Sequence, residues 1–186
     1  MEAFFLSTGI VALAEIGDKT QLLALLLAAR FKKPVPIILG IFAATVLNHA
    51  GAAWLGHVAT GFIDMNILRW VLGISFIAMA AWMLIPDKLD DDTRLFERFG
   101  VFGATCIAFF LAEMGDKTQI ATVALSARYM DATIGVVMGT TMGMMIANVP
   151  AVLLGEVAAR KLPVELVHKI AAGIFAVVGV LTLVSF

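Results

Sequence analysis

Six apolar segments, each long enough to cross a lipid bilayer as a helix, are the feature that most restricts the fold of this chain. A transmembrane helix needs about 20 predominantly apolar residues. Here 61% of the 186 residues are hydrophobic and only 15% are charged, whereas soluble domains average about 45–50% apolar and about 25% charged residues. We therefore predict an all-α integral membrane protein with six transmembrane helices. Their expected positions are residues 3–29, 34–58, 66–86, 99–127, 132–156 and 164–186.

The charge and cysteine content exclude several classes of function. A formal net charge of −1 provides no basic surface for nucleic acid. Cys106 is the only cysteine, so neither an intrachain disulfide nor a multi-cysteine metal site can form. The chain also lacks the His-Glu-x-x-His signature that a metal-dependent hydrolase would need. We therefore expect neither a nucleic-acid-binding protein nor an enzyme.

A charged motif occurs twice and indicates that the chain is duplicated. The sequence AEIGDKTQLLALLLAARF begins at Ala14, and AEMGDKTQIATVALSARY begins at Ala112, an offset of 112 − 14 = 98 with ten of eighteen positions identical. Shared apolar residues alone would not reproduce a run of Glu, Gly, Asp, Lys, Thr and Gln. We divide the chain into a first three-helix repeat (1–86), a cytoplasmic linker (87–98) and a second three-helix repeat (99–186).

Each repeat contains an odd number of predicted spans, so the two repeats are expected to have inverted topology in the membrane. Inverted repeats are common in secondary transporters, which bind substrate near the middle of the bilayer. Lysine and arginine accumulate in cytoplasmic loops. The loops after the first, third and fifth predicted helices, with their flanks, carry nine of these residues, against two on the opposite face. Both termini are therefore expected on the non-cytoplasmic side.

Each motif places two carboxylates and one lysine near the middle of a predicted span. A charge at the centre of a transmembrane helix costs roughly 2.5–3.5 kcal/mol on insertion scales, so six charged groups there indicate a functional site. The two motifs together carry a formal charge of −2, which one divalent cation or two protons would neutralise. In a helix, the second acid and the glutamine share a face with the first acid. The candidate metal ligands are Glu15, Asp18, Gln21, Glu113, Asp116 and Gln119.

The chemistry of these side chains favours one class of ion. Carboxylate, amide and hydroxyl oxygens suit Mg²⁺, Mn²⁺ or Ca²⁺ better than Zn²⁺ or Cu⁺. The glycine between the acids of each motif, Gly17 or Gly115, has two interpretations. It would permit local unwinding that frees carbonyl oxygens for an ion, or close packing of an intact helix.

Further polar residues are expected at a similar depth in the membrane. Lys19 and Lys117 are interpreted as counter-charges for the site. His49 aligns with Asn148 in the second repeat, and a polar residue at matched depth would support the ligands or relay protons. A simple interhelical hydrogen bond, worth about 0.6 kcal/mol on average, is the alternative. The complete supporting set is Lys19, Thr20, Asn48, His49, Lys117, Thr118 and Asn148.

The two Glu-x-Gly-Asp-Lys-Thr motifs, at Glu15–Thr20 and Glu113–Thr118, on six predicted spans resemble the GDT family of manganese and calcium transporters. That family includes bacterial manganese exporters of the MneA type. The resemblance implies export of Mn²⁺, or Mn²⁺ and Ca²⁺ exchange against protons, with Glu15, Asp18, Glu113 and Asp116 handling the cation. The short central loop and the lack of a long N-terminal extension are similar to bacterial members, which implies the bacterial cytoplasmic (inner) membrane.

The leading functional hypothesis is a secondary transporter that exports Mn²⁺, with Ca²⁺ as the second candidate. It would work by alternating access, with cation binding and carboxylate protonation excluding one another. The residues do not distinguish H⁺ from Na⁺ as the counter-ion. A passive divalent-cation channel and a non-transporting membrane scaffold are the alternatives. No cofactor is expected because the metal ion is the transported substrate, and a monomer would suffice, although a homodimer is compatible with the sequence.

Overall fold

The computed structural model describes residues 1–82, 84, 95–154 and 164–184, and within these ranges the chain is helical and contains no strand. The predicted all-α fold is therefore confirmed. A short 3₁₀ helix, Met130–Ala132, precedes the seventh α-helix. The α-helices are α1 (Glu2–Glu15), α2 (Lys19–Phe31), α3 (Pro34–Thr60), α4 (Met65–Trp82), α5 (Leu95–Glu113), α6 (Lys117–Arg128), α7 (Thr133–Leu154) and α8 (Val164–Val184).

Two of the six predicted helices are broken in the middle. The prediction of continuous helices over 3–29 and 99–127 is wrong, because α1 gives way to α2 and α5 gives way to α6. The cause is local, since Gly17 has a φ of 81° and Gly115 a φ of 75°, a conformation that interrupts a helix and that glycine adopts without steric cost. The segments Phe99–Glu113 and Lys117–Arg128 are bent by 71°. The local unwinding of the helix at these glycines is therefore confirmed, and the binding of an ion by freed carbonyl oxygens stays a prediction.

The other four predicted helices are present as α3, α4, α7 and α8. Length and composition mark α3 and the segment Met130–Leu154 as candidates to cross a membrane, and the bent pair of α5 and α6 is a third if it counts as one span. The described parts of α4 and α8 contain shorter apolar segments. Most of the predicted linker 87–98 lies outside the described residues, and the full set of six spans stays a prediction.

The two sequence repeats interlock, because each long helix packs on the broken pair of the other repeat. Helix α3 packs on α5 and α6, helix α7 packs on α1 and α2, and α3 and α7 also contact each other. Equivalent glycines permit the closest approaches. A Cβ atom on Gly40 would lie 2.8 Å from Thr105 Cβ and 2.9 Å from the Phe102 carbonyl oxygen. A Cβ atom on Gly139 would meet Ser7 and Phe4, which precede Thr105 and Phe102 by the repeat offset of 98 residues.

Helices α4 and α8 form a pair that lies beside this core. The rings of Phe76 in α4 and Phe175 in α8 stack with their centroids 6.3 Å apart. The two helices approach closely where Gly73 faces the Leu183 side chain, and a Cβ atom on Gly179 would lie 2.8 Å from Ile77 Cγ1. Each repeat thus contributes its last helix to one shared pair.

The interlocked packing predicts that two glycines of α7 respond oppositely to alanine. Gly139→Ala is expected to lower the melting temperature of the detergent-solubilised protein, because its methyl group would overlap the backbone of α1 at Phe4. Gly135→Ala is the matched control, since the nearest atom to its added Cβ is Ala132 Cβ at 3.9 Å. Alanine stabilises a helix interior by up to about 1 kcal/mol over glycine, so this variant should melt at the wild-type temperature or higher. Equal melting temperatures for both variants would contradict the packing.

Candidate metal centre

The two helix breaks bring the acids of both motifs to one buried place between the repeats. Helix α1 ends at Glu15 and helix α5 ends at Glu113, while Asp18 and Asp116 are the N-cap residues of α2 and α6. All four residues are at most 2% exposed. Helix N-termini carry a partial positive charge that favours nearby anions. The breaks therefore supply two helix N-termini that stabilise the carboxylates of Asp18 and Asp116.

Three of the four acids lie close enough to share a metal ion. One carboxylate oxygen from each of Glu15, Glu113 and Asp116 lies within 4.8 Å of the others. These three residues come from both motifs and form a hard, all-oxygen donor set, which is the kind that Mg²⁺, Ca²⁺ and Mn²⁺ prefer. Asp18, the fourth predicted acid, is buried nearby but is not part of this carboxylate trio.

A threonine of each motif orients the glutamate of the same motif. Thr20 Oγ1 donates to Glu15 Oε2 at 2.5 Å, and Thr118 Oγ1 donates to Glu113 Oε2 at 2.9 Å. The other oxygens of these glutamates, Glu15 Oε1 and Glu113 Oε1, are buried without a hydrogen-bond partner in the described part of the chain, as is Asp116 Oδ2. Burying a charged oxygen without a partner is costly. The arrangement is therefore suited to receive a cation or protons.

The two lysines pair across the repeats. Lys117 Nζ lies 2.9 Å from Asp18 Oδ1, and Lys19 Nζ lies 2.7 Å from Asp116 Oδ1. The first pair is buried, with both side chains 1% exposed, whereas the Lys19 side chain is 23% exposed. Each lysine offsets the charge of one aspartate. The two glutamates then carry the formal charge of −2 that sequence analysis assigned to the whole site.

Gln21 and Gln119 form hydrogen bonds that stabilise the helix breaks. The amide oxygen of Gln21 accepts a hydrogen bond from the Gly17 backbone N–H at 2.8 Å, and that of Gln119 accepts one from the Gly115 N–H at 2.6 Å. Their amide nitrogens donate to the long helix of the opposite repeat, to Ala147 O and Asn48 Oδ1 respectively. Both glutamines were predicted as metal ligands, and in the structure their amide oxygens accept hydrogen bonds from the backbone of the break.

The remaining supporting residues lie on the long helices. Asn48 Nδ2 donates to Phe110 O, and Asn148 Nδ2 donates to Met144 O, both at 3.0 Å. His49 is fully buried, and neither ring nitrogen has a hydrogen-bond partner among the described residues. The Oδ1 atom of Asn148, its counterpart in the second repeat, also has none within those ranges. Neither residue belongs to the carboxylate trio, so their roles as relay or support stay predictions.

The exchange of lysines between the repeats and the different positions of the two aspartates were not predicted from the sequence. The exchange depends on where the second broken helix lies, which a motif on one helix does not encode. The signal that was available is the Asp-Lys order in both copies, because neighbouring residues of a helix do not face each other and the lysine is not expected to pair with that aspartate.

Comparison with known proteins identifies the family. The profile of the family described as "Divalent cation/proton antiporter GDT1" matches residues 3–91 and 101–186. This chain belongs to that family. The family consists of transporters, so the protein is a membrane cation transporter and not an enzyme, as the sequence predicted.

Relatives from bacteria and plants match over most of their length. A Vibrio cholerae protein named "Putative manganese exporter" is 55% identical over 182 residues, which cover 98% of this chain and 90% of that protein. The rice protein GDT1-like protein 4 (Oryza sativa subsp. indica) is 29% identical over 212 residues, covering all of this chain and 71% of that protein. GDT1-like protein 3 of the same subspecies is 30% identical and covers 94% of this chain and 71% of that protein. No solved structure is significantly similar.

The left-handed glycine at the second break predicts a graded response to substitution. No heavy atom lies within 4 Å of a Cβ built on Gly115, so backbone strain is the main penalty there. Gly115→Ala is expected to cost about 1–2 kcal/mol of stability and to lower the melting temperature. Gly115→Asn should fall between alanine and wild type, because asparagine tolerates this conformation better. Alanine as stable as wild type would contradict the break.

Proposed function

We propose that this protein exports divalent cations, Mn²⁺ above all and Ca²⁺ as the second candidate, by alternating access in exchange for H⁺. The carboxylate trio of Glu15, Glu113 and Asp116, with one oxygen of each within 4.8 Å of the others, is the observation that carries the proposal. Membership of a divalent cation/proton antiporter family supports both the cargo class and the counter-ion. The metal ion is substrate, and no resident cofactor is required.

The charge of the site explains how the movement of the cation would be coupled to the movement of protons. With each aspartate paired to a lysine, Glu15 and Glu113 carry the uncompensated charge of −2. One divalent cation would neutralise this charge, and so would two protons, one on each glutamate. The buried oxygens that would bind the metal are the ones that would bind the protons, so the two cargoes exclude each other. This predicts an electroneutral exchange of one cation for two protons.

The choice of ion follows from the donor atoms and from the relatives. Carboxylate oxygens accept Mn²⁺, Ca²⁺ and Mg²⁺ alike. The bacterial relative that covers nearly the whole chain is named for manganese, which favours Mn²⁺ as the physiological cargo. Na⁺ is the less favoured counter-ion because the family description names protons.

The proposed topology is two inverted three-helix repeats with six spans in the bacterial inner membrane and both termini on the non-cytoplasmic side. The asymmetric distribution of lysine and arginine supports the orientation. The reciprocal packing of α3 and α7 on the broken helices supports a complete transport unit in one chain, with a homodimer as an arrangement that this packing also permits.

Ion flux in proteoliposomes tests the function. Wild-type protein is expected to move Mn²⁺ when a pH gradient is imposed, and Ca²⁺ measured in parallel would rank the two ions. Glu15→Gln and Glu113→Gln should each lower the flux at least about 100-fold, since losing even an outer partner of a metal ligand costs about 10–100-fold.

The matched control is Glu2→Gln, which makes the same change at an exposed glutamate of α1 whose carboxylate bonds the Tyr129 hydroxyl. It should transport like wild type. Mn²⁺ flux that ignores the pH gradient would instead indicate the channel alternative. Undiminished flux in both the Glu15→Gln and the Glu113→Gln variants would refute the trio as the transport site, and no flux of either ion in the wild type would favour the scaffold.

A further inference from the structure

Among the described residues, the α4–α8 pair packs on one of two equivalent faces of the core. Because α1 corresponds to α5 and α6 to α2 in the duplication, the face formed by α1 and α6 is equivalent to the face formed by α2 and α5. Helix α8 packs on α1, and helix α4 packs on α6. In the described ranges, neither α4 nor α8 packs to a comparable extent on α2 or α5.

The buried apolar clusters show the same asymmetry. One cluster joins Ile10 of α1 and Leu125 of α6 to Phe76 of α4 and Phe175 of α8. The other cluster, around Leu27 of α2 and Phe109 of α5, is completed by residues of α3 and α7, with no described residue from α4 or α8. The α4–α8 pair is therefore joined to one end of the core by a continuous apolar contact.

Polar contacts also join the helices at the α1–α6 face. Arg128 Nη1, at the end of α6, donates to Thr182 Oγ1 of α8 at 2.8 Å. The neighbouring Tyr129 hydroxyl donates to Glu2 Oε1 at the start of α1, at 2.9 Å. Their repeat counterparts at the other end are Arg30 and Phe31, where the guanidinium lies over the phenylalanine ring, 5.4 Å from its centroid. Arg128 lies in the same way over the Tyr129 ring, 5.8 Å from its centroid, and it also joins α6 to α8 through Thr182.

The two lysines of the site differ in exposure, and the difference follows the two faces of the core. Lys19 belongs to α2 and is 23% exposed, while Lys117 belongs to α6 and is 1% exposed. A lysine facing lipid in the middle of a bilayer is strongly disfavoured, so the partial exposure of Lys19 favours access for water from the side of α2. The α2–α5 face is therefore the less covered approach to the centre, although the acids themselves are buried.

We propose that the α4–α8 pair is the moving element of transport and rocks between the α1–α6 face and the equivalent α2–α5 face. This inference rests on the proposed function and names the part of the fold that performs alternating access. In the second state the two repeats exchange environments. Lys117 becomes exposed, Lys19 becomes buried, and Asp18 replaces Asp116 in the carboxylate trio. With the proposed orientation, the less covered α2–α5 face lies on the cytoplasmic side, from which an ion for export would be loaded.

Reversible cross-linking tests the movement. In a Cys106→Ser background, Arg128→Cys and Thr182→Cys would be joined by a short, reducible bifunctional thiol reagent, which holds α8 against α6. Mn²⁺ flux in proteoliposomes is expected to fall at least about tenfold, because a protein held in one state cannot complete the cycle, and to return on reduction. The control pair is Gly73→Cys with Leu183→Cys, which joins α4 to α8 within the moving element. Its flux should be unchanged by cross-linking.

Undiminished flux after complete cross-linking of the Arg128→Cys, Thr182→Cys protein would overturn the inference and leave the proposed function standing. A second measurement decides the matter if that variant transports poorly before cross-linking. Leu23→Cys in α2 and Ala121→Cys in α6 occupy equivalent repeat positions, and Ala121 is covered in this state. Labelling with a hydrophilic thiol reagent should change in opposite directions at the two sites when Mn²⁺ is added.

Changes in the same direction, or no change at either site, would overturn the rocking movement. If labelling changes in opposite directions at the two sites but the protein transports neither Mn²⁺ nor Ca²⁺ in proteoliposomes, the result would count against the proposed function while supporting the movement. The two failures are therefore distinguishable.

Discussion

The structure depends on burying four carboxylates beside only two lysines. A fully buried charge is tolerated when it is paired and hydrogen-bonded, and the crosswise Asp–Lys pairs satisfy this for Asp18 and Asp116. The same pairs draw the two repeats together, because each joins an aspartate of one repeat to a lysine of the other. The negative charges of the two glutamates stay uncompensated, and a transporter needs such a residual charge to bind a cation.

The rest of the core holds the helix breaks in place around that charge. Gln21 and Gln119 bond the glycine backbone of each break and also reach the long helix of the opposite repeat. Small residues let α3 and α7 approach the broken helices closely, with equivalent glycines at equivalent contacts. The site is therefore held by several hydrogen bonds, whereas the described part of the α4–α8 pair packs on one face of the core. That division suits a protein that must hold an ion and change the side from which it is reached.

The sequence predicted those features that depend on composition and spacing. Long apolar runs located α3 and α7 to within two residues at the ends that the structure describes, because few arrangements other than a helix satisfy the backbone in lipid. The duplicated motif predicted that acids from both repeats share a site, since buried charge of one sign needs a common partner. The family was identifiable for the same reason, because its motif is made of residues that are rare inside membranes.

Other features depended on tertiary contacts and were not readable from one motif. A glycine in an apolar segment is compatible with both an intact and an unwound helix, so the sequence does not decide whether the helices break at Gly17 and Gly115. The partners of Lys19 and Lys117 lie about 100 residues away in sequence, close to the offset that relates the repeats. The glutamines were grouped with the ligands because helical spacing placed them on the acidic face, and the break then turned their amide oxygens onto the backbone.

The central claim is that a divalent cation and protons compete for Glu15 and Glu113, and calorimetry of Mn²⁺ binding tests it most directly. Titrations of the detergent-solubilised protein in buffers with different ionisation enthalpies give the number of protons released per bound ion. We predict that one Mn²⁺ binds per chain and that about two protons are released at a pH where the empty site is protonated, because metal ligands must lose their protons to bind. Binding of Mn²⁺ that releases no protons across the pH range of transport would contradict it.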